Sequence, residues 1–142
     1  MTYPTEFSKA VMTVLFVADK VRQGYHEFVP TQRIAEALDI PRPTVTKLLR
    51  GLSSAGIIET REGVKGGVRL GRPATEVSIL DVLDATSSGR PLFQTDFTIR
   101  ATGERPTRVQ AAVTEVLTEA ETAMRQRLAT TTVEDMLSAP FR

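Results

Sequence analysis

The sequence predicts a mainly α-helical protein with one small β-hairpin and one long helix near its C-terminal end. Three observations carry this expectation. Apolar residues recur at helical spacing in several stretches before residue 60. The run REGVKGGVRLGR, residues 61 to 72, then sets four glycines and four basic side chains at the tip of two short alternating segments. From Pro106 to about Ala129 a single apolar stripe persists for about six turns.

The first helix is expected from Ser8 to about Arg22, with apolar residues at 11, 14, 15, 17, 18 and 21, Ser8 as N-cap and Gly24 as stop. Thr31 is expected to cap a short second helix through Ala37 or Leu38, with Ile34, Ala35 and Leu38 turned inward. After the tight linker DIPRP, Pro43 suits the first turn of a third helix. That helix runs to Ala55 and stops at Gly56, with Val45, Leu48, Leu49 and Leu52 facing inward. Ile57 to Arg61 and Val68 to Leu70 read as hairpin strands, the glycines between them allowing positive φ at the turn.

VSILDVLDATSS reads as a fourth helix closed by Ser87, Ser88 and Gly89, with Asp81 and Asp84 on its exposed edge. The next segment scatters Leu92, Phe93 and Phe97 among turn formers and reads as an ordered loop. The long helix aligns Val109, Ala112, Val113, Val116, Leu117, Ala120, Ala123, Met124 and Leu128. Its Glu115, Glu119 and Glu121 precede Arg125 and Arg127, as the helix dipole prefers. TTVEDMLSAP reads as a short capped turn folding back. The domain organisation expected is therefore a head over 1–88, a connecting loop over 89–105, and a long helix with its tail over 106–142.

At 142 residues and 41% hydrophobic content, the chain is long enough for one core and an appended arm. No run approaches the about 18 apolar residues of a membrane span, and MTYPTEFSKA has no basic-then-apolar leader pattern, so a cytoplasmic protein without membrane contact is expected. The absence of cysteine removes disulfides, thiolate nucleophiles, cysteine zinc sites and ordinary iron–sulfur ligation. One histidine, no GxSxG and no HExxH leave no catalytic constellation. The glycine spacing also fails GxxxxGK[ST] and GxGxxG, which argues against a nucleotide cradle. Charge is uneven: residues 1–73 carry eleven Lys/Arg against seven Asp/Glu, and residues 74–142 seven against ten. The first half is the one suited to a polyanion.

Two short helices joined by about four residues and followed at once by a glycine-tipped hairpin make a winged helix-turn-helix. In such a fold the third helix enters the major groove of DNA and the hairpin is the wing. We assign Thr44, Thr46, Lys47 and Arg50 to the groove, Thr31, Gln32 and Arg42 to nearby phosphates, and Arg61, Lys65 and Arg69 to the wing. Arg69, which alternates with Val68 and Leu70, has solvent or a carboxylate as its other destinations. The long stripe exceeds what a compact head covers and predicts pairing with a second copy through Val109, Val113, Val116, Leu117, Ala120 and Met124, the alternative being that it packs entirely across its own domain.

From RIAEALDI through the wing to VSILDVLDA, roughly Ser8 to Ala85, the chain resembles the Rrf2 family of bacterial transcription regulators. The resemblance rests on the IA-E opening, the L-x-x-AG-L-[IV] segment, which here reads LSSAGII, the wing glycines Gly63, Gly66 and Gly67, and the I-x-[DE]-[VI] helix. It implies a homodimer on a palindromic operator, with repression as the simplest mode of action. Members with an iron–sulfur cluster carry three cysteines in the loop corresponding to Leu92 through Arg105; here there are none, so no cofactor or metal is expected. His26, with Asp96 or Glu104, does not make a conventional cluster site. Thr44, Thr46 and Glu62 stand where the family often has tyrosine, glutamate and arginine, so a known operator sequence does not transfer.

The signal is open. One candidate is a small-molecule effector in a pocket lined by Phe93, Phe97 and Ile99; the alternatives are a purely structural loop and control by abundance alone. The rival function is a winged-helix protein-interaction module that has given up DNA.

Overall fold

A computed structural model describes residues 3–140. Its elements are α1 (Tyr3–Arg22), α2 (Thr31–Leu38), α3 (Arg42–Ser54), β1 (Ile58–Arg61), β2 (Gly67–Leu70), a 3₁₀ turn (Ala74–Glu76), α4 (Ile79–Ser87), α5 (Glu104–Ala129) and α6 (Val133–Leu137). The mainly helical class with one small hairpin stands. No helix among the described residues is long and apolar enough to cross a membrane.

Several boundaries differ from expectation for local reasons. Ser8 is not an N-cap: α1 begins five residues earlier, with Glu6 in its first turn, where an acid suits the helix dipole. Thr31 is the first helical residue and not the cap. Pro30, already extended at φ −63° and ψ 141°, takes the cap position without a side-chain hydrogen bond. The long helix likewise starts at Glu104, two residues before Pro106, which is tolerated in a first turn where its missing N–H has no partner to lose.

The head is built around one core. Val14 and Val17 of α1, Ile34 of α2, Val45 and Leu52 of α3, Ile57, Val68 of β2, Val82 of α4, and Val77 just before α4 are all buried together. Each such side chain contributes about 1.5 to 3 kcal/mol through apolar burial. The inward face expected of α3 is the observed one, since Val45, Leu48, Leu49 and Leu52 are its buried residues.

The hairpin pairs antiparallel with Ile58 opposite Leu70, Glu59 opposite Arg69 and Thr60 opposite Val68. A further strand-like contact secures it to the α1–α2 linker: Val29 N–H donates to the Val68 carbonyl at 2.7 Å, and Val68 N–H returns to Val29 at 2.9 Å. The glycines at the tip answer to two demands. Gly63 turns with φ 100°, which side chains rarely adopt, and a Cβ on Gly66 would fall 2.4 Å from the Arg61 carbonyl.

The tail folds back onto the head, as its capping pattern suggests. Thr132 and Asp135 form a reciprocal capping box, Val133 is fully buried in the head's core, and its N–H donates to the Val77 carbonyl at 2.8 Å. Ile79 N–H donates to the Thr131 carbonyl at 2.9 Å, so the joint between α5 and α6 is tied on one side to the first residue of α4 and on the other to Val77 just before it.

Candidate nucleic-acid interface

The site begins with how α3 is presented. Asp39 ends α2 in the left-handed conformation at φ 51°, and Ile40 and Pro41 complete a three-residue linker into α3. With Val45, Leu48, Leu49 and Leu52 buried beneath, Arg42, Thr46, Lys47 and Arg50 are exposed on the opposite side, and Thr44 is half-buried at the entry. No carboxylate of α3 interrupts this face.

These side chains differ in how free they are. Arg42 donates to the Gln32 amide oxygen at 3.5 Å, and Gln32 in turn donates to Glu36 at 3.0 Å, which brings two of the expected phosphate-side residues together. Thr46 donates its hydroxyl to the Arg42 carbonyl at 3.0 Å. Lys47 reaches Glu6 at 3.8 Å but keeps most of its surface in solvent, so it can exchange that partner readily. Among the described residues the Arg50 guanidinium makes no hydrogen bond or ion pair, and it is exposed. Thr31, Thr46 and Arg50 converge on a cleft of about 520 Å³ between α3 and the hairpin. Ser53, Ser54 and Thr60 also line that cleft and were not singled out from the sequence; their hydroxyls sit on outward positions whose type alone signals nothing specific.

The wing divides the three basic residues assigned to it. Arg61 donates twice to the Lys65 carbonyl, at 2.7 and 3.2 Å, closing the tip. Its guanidinium also lies 3.5 Å from Glu27 and 4.1 Å over the Phe28 ring. Arg69 takes the carboxylate alternative: it pairs with Glu59 directly across the hairpin, approaches Glu27 at 3.7 Å, and lies 4.4 Å over the same ring. Both arginines therefore brace the wing against the linker, and two acids already neutralise them. Lys65 alone of the three projects its charge into solvent, beside a fully exposed Val64. The bracing residues Glu27 and Phe28 carried no sequence signal, because their proximity to the wing follows from the Val29–Val68 pairing.

The expected stripe of α5 separates into two faces. Val109, Val113 and Val116 are 57%, 42% and 63% exposed, and Ala112, Ala120 and Ala123 are open too. Leu117 and Met124 are half-buried on the side where Glu121 accepts the Leu92 N–H at 3.1 Å and Arg125 meets Asp84. Asp81 and Asp84 are accordingly more than an exposed edge: Asp81 completes the capping box of α4 with Ser78, and Asp84 receives Arg125 through two hydrogen bonds of 2.9 Å.

Residues 89–103 contain no helix or strand. Phe97 and Ile99 line an open apolar groove of about 430 Å³ against Val109 and Val113, whereas Phe93 is not among its lining. Phe93 is therefore not part of the pocket expected there. Gln110 holds the segment by donating to the Phe97 carbonyl at 3.0 Å.

Recognition helix, braced wing and long outer helix define a winged helix-turn-helix regulator. The Rrf2 family model, described as an iron-dependent transcriptional regulator, matches residues 3–139, and the chain belongs to that family. It is 43% identical over 53 residues to protein aau3 of Rhizobium meliloti, covering 37% of this chain and 34% of the relative. It is 28% identical over 94 residues to the HTH-type transcriptional regulator NsrR of Shouchella clausii, covering 66% of this chain and 60% of the relative. The matches thus span only about a third to three-fifths of these relatives' lengths. The structure of CymR, the global cysteine regulator of B. subtilis, superposes with a TM-score of 0.69 at 19% identity, covering 96% of each chain, which shows a shared fold.

The residues present do not fit the iron that the family description implies. Iron–sulfur ligation needs thiolates and the chain has no cysteine. Among the described residues no three His, Cys, Asp or Glu side chains come together to hold a metal. His26 lies in the α1–α2 linker beside the wing brace, while Asp96 belongs to the segment before α5 and Glu104 is the first residue of α5.

Proposed function

We propose that this chain is a sequence-specific DNA-binding repressor that acts in the cytoplasm as a homodimer, placing two winged heads on the half-sites of a palindromic operator without an iron–sulfur cluster. The observation that carries this reading is the outer face of α3, where Arg42, Thr46, Lys47 and Arg50 are exposed without an intervening carboxylate. Arg50 offers a bidentate donor suited to guanine, and Lys47 a second cation for the same groove. Lys65 supplies a wing contact to phosphate or the minor groove. The dimer is supported by the open stripe of Val109, Ala112, Val113, Val116, Ala120 and Ala123, a face that a lone chain leaves in water. Because Val109 and Val113 serve both this stripe and the groove under Phe97 and Ile99, we assign them to the dimer and give the effector no separate pocket.

The test is selection of bound genomic fragments by the purified protein, repeated with Lys47→Ala and Arg50→Ala. An enriched palindrome is expected, with each variant losing about 1 to 3 kcal/mol of discrimination between operator and random DNA if its side chain reads a base. Absence of enrichment at moderate salt, together with capture of a protein by the same face, would replace this reading with a protein-docking module.

A further inference from the structure

We infer that the Asp84–Arg125 pair is a positioning clamp that sets the angle between the winged head and the long helix, and thereby the half-site spacing that the dimer accepts. The inference rests on the dimeric operator reading and adds to it the residues that fix the geometry between the two heads.

No described residue of α5 is buried within its own chain, so packing alone holds this helix weakly. At its N-terminal end only the irregular 89–103 segment connects it to the head, whereas at its C-terminal end the tight joint at Thr130 to Thr132 leads straight into α6. From that joint to Val109 the helix runs about 31 Å at 1.5 Å per residue, so a swing of about 10° at the joint displaces the far end by about 5 Å. That exceeds the 3.4 Å rise of one base pair along B-DNA, by about half. A dimer seated on two half-sites needs this freedom removed.

Arg125 stands just over one turn before the joint and is the contact best built to remove it. Its two terminal nitrogens each meet one Asp84 carboxylate oxygen at 2.9 Å, and the planar fork fixes direction as well as distance. The pair is about two-thirds covered, with side-chain exposures of 33% and 37%, so solvent and salt screen it less than the surface pairs of the wing. One turn further along, Glu121 accepts the Leu92 N–H and supports the same face. On the head side, Asp84 adjoins Ala85, whose carbonyl would lie 3.1 Å from a Cβ on Gly51 of α3. The groove-reading helix and the clamp are therefore joined through direct backbone contact between α3 and α4.

The test uses the absence of cysteine in the chain. A spin label on Ser54→Cys, an exposed position of α3, reports the distance between the two heads of the dimer. A single narrow distance is expected with Asp84 and Arg125 intact, and a broad distribution with Asp84→Ala or Arg125→Ala at unchanged dimer mass. The reversed pair Asp84→Arg with Arg125→Asp should restore narrowing, which a merely structural loss would not. In parallel, binding is measured on the selected operator with one and two base pairs inserted at its centre. The intact protein should lose about tenfold affinity per inserted pair and the clamp variants less than about threefold, with affinity for random DNA unchanged. A distance distribution and spacing penalty that survive Asp84→Ala would overturn the clamp. A protein that sediments as a monomer, or that selects no palindrome, would overturn the operator reading and the clamp with it.

Discussion

Gly67 approaches the Val29 carbonyl so closely that a Cβ built on it would fall 2.3 Å from that oxygen. This contact is backbone against backbone, so no rotamer change relieves it. Gly67→Ala should push β2 away from the α1–α2 linker and destabilise the head by about 1 to 3 kcal/mol, read from urea unfolding. Hydrogen exchange should show the Val29 and Val68 amides, bonded to each other's carbonyls at 2.7 and 2.9 Å, losing protection first.

Arg69 and Lys65 belong to the same wing and should behave differently. Arg69 is already neutralised by Glu59 and Glu27, so Arg69→Ala should leave the salt dependence of DNA binding nearly unchanged and cost at most about 1 kcal/mol of stability. Lys65→Ala should reduce the slope of log K against log salt by about 0.9 per half-site if the ammonium neutralises a phosphate. Titrations of both variants from low to moderate salt separate the two.

Val116 and Leu117 are sequence neighbours with opposite expected phenotypes. Val116 is 63% exposed, so Val116→Glu should shift sedimentation toward the monomer while leaving the head's fold intact. Leu117 is half-buried on the face turned toward Glu121 and Arg125 contacts, and Leu117→Ala should lower unfolding stability of the monomer in a background that already carries Val116→Glu.

The tail should make stability acid-sensitive. The Thr132 N–H and hydroxyl hold the Asp135 carboxyl below the ordinary carboxylate value of 3.8, and hydrogen bonds from Arg22 and then Ser138 hold Glu134 below 4.5. A carboxyl whose folded pKa is depressed stabilises the folded state fully above its unfolded value, and that contribution disappears as pH falls through the folded one. The tail's share is therefore present at pH 7 and lost progressively below about pH 4. Asp135→Asn should be less stable than the parent at pH 7, with the difference narrowing by pH 3, as measured by urea midpoints at both.

Apolar spacing revealed α1 to α4 and the core face of α3, though not where α1 begins or what caps α2, because burial under one stripe is what orders those residues and the stripe is written in the spacing. The wing glycines were legible for the same reason: a tip that needs positive φ and close backbone approach admits little else. What only the tertiary structure decided were the partners of charges. Arg61 and Arg69 look as available as Lys65 along the chain, and become braces because the Val29–Val68 pairing carries Glu27 and Phe28 beneath them. Likewise, one apolar stripe on α5 became two faces, since a helix repeats along its length but the neighbour that covers part of it approaches from a single direction. Asp84 and Arg125 lie 41 residues apart, and nothing local marks them as a pair. Spacing determines which side of an element meets apolar surroundings; which charge meets which is settled only when the elements pack.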